Sequence, residues 1–354
     1  MRHEAIEWDR GDDIMRIGLV GYGTGGRHFH APFIMAAEGV ELAGIVARAP
    51  ATVEKARADF PGLPLYSSLS DMLKAGVDAV TITTPPQTRR QLALEAIEAG
   101  VHVIADKPFA PSAAAARELD DAARRKGVVL GVFHNRRCDT DLRTLKKVLD
   151  SGRLGSLWRL HSRMDLDDPH TLEAGPDGGL LRDLGSHLVD QMLWLLGPVV
   201  SVNAHLDMID LPQGPTDAGF VLSMSHASGV FSQVSATKLN RLAVKEYVAY
   251  GAEGSYRSSQ TDVQAQAIFA GKRPVDDPQG WGYEAEERWG ILGTALGEER
   301  IPSEQGRYHD YYEGFARAVR EGTPPPVTAA EAAEVLRVLD AARQSATETR
   351  EIAL

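Results

Sequence analysis

The segment Gly21-Tyr22-Gly23-Thr24-Gly25-Gly26 decides the fold, because it directly follows an apolar stretch with strand character from Ile14 to Val20. Gly21, Gly23 and Gly26 match the pattern G-x-G-x-x-G. In that pattern the first glycine makes a tight turn, the second lets the backbone approach a pyrophosphate, and the third lets a helix pack closely on the strand. With a helix after it and a second strand beyond, the segment predicts a Rossmann unit whose helix amides face the dinucleotide.

Strands and helices continue to alternate beyond this loop. Gly100 and Gly127 stand where two of the helices should end, as C-terminal glycines commonly do. Six strands separated by helices predict a doubly wound parallel sheet, that is, an N-terminal Rossmann domain of α/β type. The expected strands are 14–20, a short one within 59–67, and 41–47, 77–83, 101–105 and 128–133, and the expected helices include 27–38, 87–99 and 111–126.

The end of the second strand bears on the choice of cofactor. Proteins that select NAD place an acidic residue near this point to hold the ribose hydroxyls, and the segment Leu42 to Val53 contains no acid. The strand ends instead in Ala47-Arg48, where a guanidinium could bind a 2′-phosphate and stack on adenine. We therefore expect NADP(H), with NAD(H) as the second choice. The alternative is that Arg48 is a solvated loop cation and that backbone groups hold the ribose.

Asp106-Lys107-Pro108 ends the apolar run Val101 to Ala105, which is typical of a buried strand. A lysine is unusual there, because the interior of a parallel sheet prefers apolar residues. Pro108 restricts the residue before it to extended geometry, so Lys107 is expected to stay at the carboxyl end of the strand. Open α/β sheets bind their ligands at that end. A surface lysine in a strand-to-loop turn is the alternative interpretation.

The pattern changes after residue 135. A helix over 139–149 is followed by long stretches of alternating polarity joined by hairpin turns, which predict an α+β domain with a large, mostly antiparallel open sheet. Residues from about 260 to 306 are rich in Gly, Pro and charge and are expected to form loops and short segments. Thr328-Ala329-Ala330-Glu331 has the form of a capping box for a final helix, which could pack back on the first domain.

Length and composition limit the classes of function. At 354 residues the chain suits two domains, which we expect over 14–135 and 136–354 after a disordered extension over 1–13. The net charge of -11 argues against a nucleic-acid partner, which would need clustered Lys and Arg. The single cysteine, Cys138, excludes an intrachain disulfide and fits a reducing cytoplasm. No apolar run approaches the roughly 18 residues that span a membrane.

One helix of the second half carries chemistry. It runs from Gly178 to Gln191, and Asp183 and His187 are four residues apart on one face, with Asp190 a turn further on. A histidine beside a carboxylate is a plausible acid/base pair, and the alternative is a hydrogen bond on the helix surface. A metal site is not supported, because two ligands at helical spacing are too few and no zinc-binding pattern is present.

At this point the chain resembles the Gfo/Idh/MocA oxidoreductases over nearly its whole length. The resemblance rests on Gly21-Tyr22-Gly23, Thr84-Pro85-Pro86, Asp106-Lys107-Pro108 and the helix that carries Asp183. The chain is most similar to the NADP-dependent scyllo-inositol dehydrogenase branch, through Phe29-His30-Ala31-Pro32, Asp106-Lys107-Pro108-Phe109 and Phe133-His134-Asn135-Arg136-Arg137. Two departures are Arg89, where relatives often have a histidine, and Cys138, where they often have an aromatic residue.

The resemblance implies a Rossmann domain followed by a domain that binds substrate and whose open sheet forms a homo-oligomer, either a dimer or a tetramer. It implies that Lys107 is the catalytic lysine and that Asp183 and His187 belong to the substrate site. The glycine pattern, the end of the second strand and the resemblance together predict the cofactor positions, which are Gly21, Gly23, Thr24, Gly26, Arg48, Thr84, Pro85 and Lys107.

The resulting hypothesis is an NADP(H)-dependent dehydrogenase of a polyol or sugar. His187 would accept the hydroxyl proton, Lys107 would stabilise the developing alkoxide, and Asp183 would orient His187 or bind a neighbouring hydroxyl. His134 and Asn135, which follow a strand's carboxyl end, are the better candidates for further substrate contacts; Arg136, Asp165 and His170 are weaker ones. A glycosidase that uses the dinucleotide for transient oxidation, and a non-catalytic dinucleotide sensor, are the competing hypotheses.

Overall fold

The computed structural model describes residues 14–175 and 178–354. The extension expected over residues 1–13 lies outside this range. Within it, the chain forms two sheets, one of six strands and one of nine. No helix in the described ranges is both long and apolar enough to cross a membrane.

The first sheet is parallel throughout and confirms the predicted Rossmann fold. Its strand order is β3-β2-β1-β4-β5-β6, so the crossovers lie on both sides of β1. The strands are β1 Met15–Val20, β2 Val40–Val46, β3 Leu65–Tyr66, β4 Ala79–Ile82, β5 His102–Asp106 and β6 Leu130–Phe133. The helices are α1 Ala31–Ile34, α2 Pro50–Asp59, α3 Leu69–Ala75, α4 Pro86–Glu98 and α5 Ala113–Lys126.

The helix after the glycine loop differs from its prediction over 27–38. It starts earlier, as a π-helical turn over Gly25–His30, and continues into α1 only as far as Ile34. A tight turn then follows, in which Gly39 has φ +69° and leads into β2. The early start brings the first helical amides directly against the glycine loop.

The second sheet is antiparallel except for one parallel pair, β7 with β10, as the sequence predicts for a mostly antiparallel open sheet. Its order is β14-β13-β12-β11-β7-β10-β9-β8-β15. The strands are β7 Leu157–Asp167, β8 Val199–Leu211, β9 Gly214–His226, β10 Phe231–Thr237, β11 Leu239–Gly251, β12 Gly254–Ser258, β13 Gly290–Thr294, β14 Gly297–Ile301 and β15 Ile352–Ala353. The helices of this half are α6 Thr140–Asp150, α7 Leu180–Leu196, α8 Val263–Phe269, α9 Asp310–Glu321 and α10 Ala329–Glu348.

Residues 260–306 form loops and short segments, as expected, and the short segments are α8, β13 and β14. The two strands extend the sheet beyond β12 by antiparallel pairing. Their sequence signal is weak because β14 is largely exposed and charged, and an edge strand needs only its backbone to pair.

Helix α10 connects the two halves. It packs against α5 of the first domain and against α7 and β8 of the second, and the capping box predicted at its start is present on Thr328 and Glu331. The Arg137 guanidinium, just after β6, donates to both carboxylate oxygens of Asp190 on α7, at 2.7 and 2.9 Å. These contacts fix α7 relative to the carboxyl ends of the first sheet. The domain boundary after residue 135 stays a prediction.

Candidate active site

The glycine loop has the geometry that its pattern predicts. Gly21 has φ +103°, a conformation that favours glycine, and a Cβ on Gly26 would clash with the Gly21 carbonyl oxygen. A Cβ on Gly23 would meet no atom within 4 Å, so this residue borders open space. Gly23 and Thr24 are both exposed. The loop therefore fits the approach of a pyrophosphate to the backbone.

Two further segments border the same edge of the sheet. Thr84 follows β4, and its backbone nitrogen would lie 3.2 Å from a Cβ on Gly21, so Thr84 and Pro85 adjoin the glycine loop. Arg48 follows β2, is exposed, and makes no hydrogen bond or ion pair with any described residue. Its guanidinium is free to meet an anion at the adenosine end of a dinucleotide.

The structure places Lys107 at the carboxyl end of β5, where the sequence predicts it. The peptide bond between Lys107 and Pro108 is cis. The lysine side chain is 16% exposed, and its Nζ donates to Asp183 Oδ1 at 2.7 Å and to the Asp183 carbonyl oxygen at 3.1 Å. A residue of the first domain and a residue of the second therefore meet in one ion pair.

Arg89 supports the backbone on which Lys107 stands. Its Nη1 donates to the carbonyl oxygens of Asp106, Lys107 and Pro108 at 3.0, 2.8 and 2.9 Å, and its Nε donates to the Thr84 carbonyl oxygen at 2.7 Å. The residue is only 6% exposed. One buried guanidinium thus joins the segment after β4 to the segment after β5, and this departure from the family pattern has a structural role.

Asp106 is a partly buried anion held by its surroundings. Burial alone would raise the pKa of its carboxyl, but the neighbouring His30 ring and the charges of Arg89 and Lys107 outweigh burial and lower that pKa to about 2. Its Oδ1 also accepts from the Lys107 backbone nitrogen at 2.8 Å. The carboxylate therefore stays ionised at neutral pH and helps to fix the main chain at Lys107.

Asp183 does not pair with His187, which corrects the acid/base pair that helical spacing suggested. Its two carboxylate oxygens instead accept from Lys107 Nζ at 2.7 Å and from Lys238 Nζ at 2.9 Å. Charge-assisted bonds to two ammonium groups are stronger than a bond to a neutral imidazole, so they decide the rotamer. Burial would raise the pKa of Asp183, but Lys107 and Lys238 hold it well below its usual range.

Lys238 is the site residue that sequence reasoning missed. It directly follows β10, and its side chain is 7% exposed. No motif marks it. The one signal that could have found it is its position, because Lys107 and Lys238 both stand immediately after a strand.

His187 is buried beside this cluster, with 5% of its surface exposed. Its Nδ1 is enclosed and has no hydrogen-bond partner among the described residues. Burial lowers the pKa of His187 well below its usual value, and the charges of Lys107 and Arg136 lower it further. The imidazole is therefore neutral at physiological pH and able to accept a proton.

His134 lies beside His187, with the two ring centroids 6.2 Å apart and the rings nearly perpendicular. It is buried, and its Nδ1 lies 3.8 Å from Asp190 Oδ2. Asn135 is also buried, in the short 3-10 turn that follows. The structure thus brings His134 into the site, and substrate contacts by His134 and Asn135 stay predictions.

The three weaker candidates are occupied by protein contacts. Arg136 pairs with Asp139 and Asp262, at 3.0 and 2.8 Å. Asp165 accepts from Arg163 Nε at 2.7 Å and from Asn240 at 2.9 Å. The side chain of His170 is 83% exposed, and its Nε2 lies 3.1 Å from Asp168 Oδ1. Cys138 is the second position at which the chain departs from the family pattern, and burial raises the pKa of its thiol.

A buried charge cluster that the sequence did not reveal adjoins His187. Lys245 Nζ lies 2.8 Å from Asp139 Oδ2 and 2.9 Å from Asp141 Oδ2. Burial raises the pKa of Asp141 to about 6, although the Lys245 charge opposes the increase. Lys245 also contributes to the lowered pKa of His187, so the cluster acts on this imidazole.

One group of described residues has the spacing to hold a metal ion, namely His309, Asp310 and Glu313. Arg143 and Arg307 already pair with Asp310, each at 2.6 Å, and Arg307 lies 3.5 Å from Glu313. Because these cations compensate the carboxylates, we assign the group no metal. That the active site works without a metal stays a prediction.

The Rossmann sheet carries an open glycine loop and Lys107 at its carboxyl edge, and the second half of the chain brings a carboxylate and a buried neutral histidine to the same place. This arrangement is typical of dinucleotide-dependent oxidoreductases. Residues 15–134 match the family described as oxidoreductases with an NAD-binding Rossmann fold, and residues 142–257 match the GFO/IDH/MocA C-terminal domain. The chain belongs to the Gfo/Idh/MocA family of oxidoreductases.

Several known proteins match this chain over nearly the whole length of both sequences. The uncharacterized oxidoreductase YdgJ of Escherichia coli is 34% identical over 94% of this chain and 97% of its own length. The scyllo-inositol 2-dehydrogenase (NADP(+)) IolW of Bacillus subtilis is 31% identical over 97% of this chain and 96% of its own. The solved structure of yvaA from Bacillus subtilis superposes with a TM-score of 0.89 at 32% identity, covering 98% of this chain and 99% of that chain.

We predict that Arg89→Lys lowers kcat by roughly 100-fold, because a displacement of about 1 Å at a reacting group has that effect. A lysine cannot donate at once to the four carbonyl oxygens that Arg89 reaches. Steady-state kinetics with the dinucleotide measure the change. The control is Arg90→Lys, whose side chain pairs with Glu118 on the surface and whose kinetics should stay normal. Equal kcat values for the two variants would contradict the role of Arg89.

Proposed function

We propose that this protein is an NADP(H)-dependent dehydrogenase that transfers a hydride between a nicotinamide cofactor and a secondary alcohol or ketone of an inositol-like polyol or sugar. The observation that carries the proposal is the meeting of Lys107, from the cofactor domain, with Asp183 on the helix that carries the neutral His187. The similarity to IolW supports the polyol class. A substrate with several hydroxyl groups suits a site that is rich in charged and polar side chains.

When bound, the nicotinamide supplies the hydride chemistry, and the protein supplies position and proton transfer. His187 accepts the hydroxyl proton, since its imidazole is neutral and buried. Lys107 directs an N–H to the same oxygen and stabilises the charge that develops there. Asp183 holds the ammonium of Lys107 in place from the second domain. In the direction of ketone reduction, the same groups return the proton.

The residues present fit a dinucleotide with a 2′-phosphate. The open backbone at Gly23 would receive the pyrophosphate, and Thr84 and Pro85 would border the nicotinamide side of the cleft. Arg48, which is exposed and unpaired among the described residues, would meet the 2′-phosphate. The NADP(+) in the name of IolW supports this preference, and NAD(H) remains the second choice.

We propose further that the enzyme works as a homo-oligomer in the cytoplasm. Val221 and Phe231, exposed by 38% and 40%, alternate with the buried Leu222 and Val234, so they lie on the sheet face opposite to the helices. Exposed apolar side chains on a broad sheet favour association through that face. Light scattering after gel filtration would show the dimer or tetramer.

We predict that Lys107→Met lowers kcat for polyol oxidation by about 10²-fold to 10³-fold or more, because it removes a donor to the developing alkoxide. The Kd for NADPH should stay near normal, since the glycine loop is untouched. A screen of inositols, aldoses and lactones identifies the substrate for this assay. Lys74→Met, on an exposed lysine of α3, is the control and should leave both quantities unchanged. Full turnover by Lys107→Met would refute the assigned role.

The same screen separates the competing hypotheses. Net formation of NADPH from free NADP+ and a polyol supports the dehydrogenase. Hydrolysis of a chromogenic glycoside without net NADPH would instead show a glycosidase that oxidises its substrate transiently. Tight NADPH binding with no turnover on either panel would show a dinucleotide sensor.

We predict that Arg48→Ala raises the Kd for NADPH by roughly 10- to 100-fold, the usual effect of losing a hydrogen-bonded charge pair. The Kd for NADH should change little, because NADH lacks the 2′-phosphate. Fluorescence titration measures both constants. Arg57→Ala, on another exposed arginine of the neighbouring helix α2, is the matched control. Equal affinity of the wild-type protein for NADPH and NADH would refute the NADP(H) preference.

A further inference from the structure

Each domain supplies one lysine to the same carboxylate. Lys107 directly follows β5 of the first sheet, and Lys238 directly follows β10 of the second. Their ammonium groups bind opposite oxygens of Asp183, at 2.7 and 2.9 Å. The Asp183 side chain is 43% exposed, whereas those of Lys107 and Lys238 are 16% and 7% exposed. The carboxylate thus borders the open part of the site, with one ammonium on either side of it.

The charges of this cluster do not cancel. Among the residues that the structure describes, two ammonium groups face one carboxylate, and the neighbouring His187 is neutral because burial lowers its pKa. Lys107 alone already balances Asp183. Burying a second ammonium costs free energy unless further acceptors compensate it. Lys238 therefore does more than neutralise Asp183.

The hydrogen-bond donors of Lys238 lead to the same conclusion. An ammonium has three N–H donors. Lys238 Nζ donates to Asp183 Oδ2 at 2.9 Å and reaches the Thr171 carbonyl oxygen only at 3.4 Å. Its backbone is held on both sides, since its N–H donates to Ala218 at 3.1 Å and its carbonyl accepts from Asp168 at 3.0 Å. Within residues 14–175 and 178–354, the third donor of this fixed, nearly buried ammonium has no acceptor, so it is left for a bound molecule.

We propose that Lys238 binds the oxygen on the carbon next to the reacting carbinol, so that the substrate class is a vicinal diol. The inference rests on the proposed dehydrogenase function and adds a residue that sets specificity. Lys107 serves the reacting oxygen, Lys238 serves its neighbour, and Asp183 fixes the spacing between the two ammonium groups. A ring polyol presents two adjacent oxygens of this kind, whereas a simple secondary alcohol presents one.

The test compares trans-cyclohexane-1,2-diol with cyclohexanol in wild-type protein and in Lys238→Met. Wild-type kcat/KM should favour the diol by roughly 10- to 100-fold, the usual effect of a hydrogen bond to a charged group. Lys238→Met should reduce that preference to less than about 3-fold, because KM rises more for the diol than for cyclohexanol. A purely structural role would lower kcat/KM by the same factor for both substrates, and that outcome would overturn the proposal.

Two further variants make the result interpretable. Lys238→Arg keeps a cation and should keep part of the diol preference even if Lys238→Met folds poorly, so loss of the whole preference in a folded Lys238→Arg would count against the proposal. Lys272→Met, on an exposed lysine, should behave as wild type. A wild-type preference for 2-hydroxycyclohexanecarboxylate over the diol would overturn the assignment of a neutral neighbouring oxygen.

A binding measurement separates this inference from the proposed function. Quenching of bound NADPH fluorescence by the diol reports binding without turnover. If the wild-type protein binds the diol but oxidises no alcohol, the dehydrogenase proposal fails, and weaker binding in Lys238→Met still supports the role of Lys238. If both proteins bind the diol equally, the proposal for Lys238 fails whatever the turnover.

Discussion

The ion pair between Lys107 and Asp183 is the interaction on which the proposed active site depends, because it joins the two domains there. The lysine stands after a buried strand of the Rossmann sheet and the aspartate stands one turn into α7, 2.7 Å away. The relative position of the domains therefore sets the position of the ammonium. Helix α10 and the Arg137–Asp190 pair hold that relative position from outside the site.

The environment assigns different charge states to neighbouring groups. Lys107 and Lys238 hold Asp183 ionised, with a pKa well below its usual range, whereas burial and the charges of Lys107 and Arg136 keep His187 neutral. A fixed cation beside a neutral base is suited to removing a proton from an alcohol while stabilising the oxygen that loses it. The carbonyl oxygens held by Arg89 fix the main chain at Lys107, so little reorganisation is needed when substrate binds.

Short sequence patterns predicted the features that depend on residues close together in the sequence. The glycine spacing and the strand–helix alternation gave the Rossmann domain, and Pro108 placed Lys107 at a strand end. The partner of Asp183 was missed because helical spacing reports which residues share a face, not which distant cation reaches that face. Lys238 is 55 residues from Asp183 in sequence, so only the fold brings them together. The short strands β13 and β14, at one end of the second sheet, were not predicted as strands because their pairing uses the backbone.

The most direct measurement is an NMR titration of His187 in protein with labelled histidines, in wild type and in Lys107→Met. If the lysine and the histidine face one space, the wild-type pKa of His187 lies below 6.5 and rises when the ammonium is removed, because burial remains and one repelling charge is lost. His226, which is buried and has no lysine among the causes of its lowered pKa, should titrate identically in both proteins. A His187 pKa at or above 6.5 that does not respond to Lys107→Met would contradict the account.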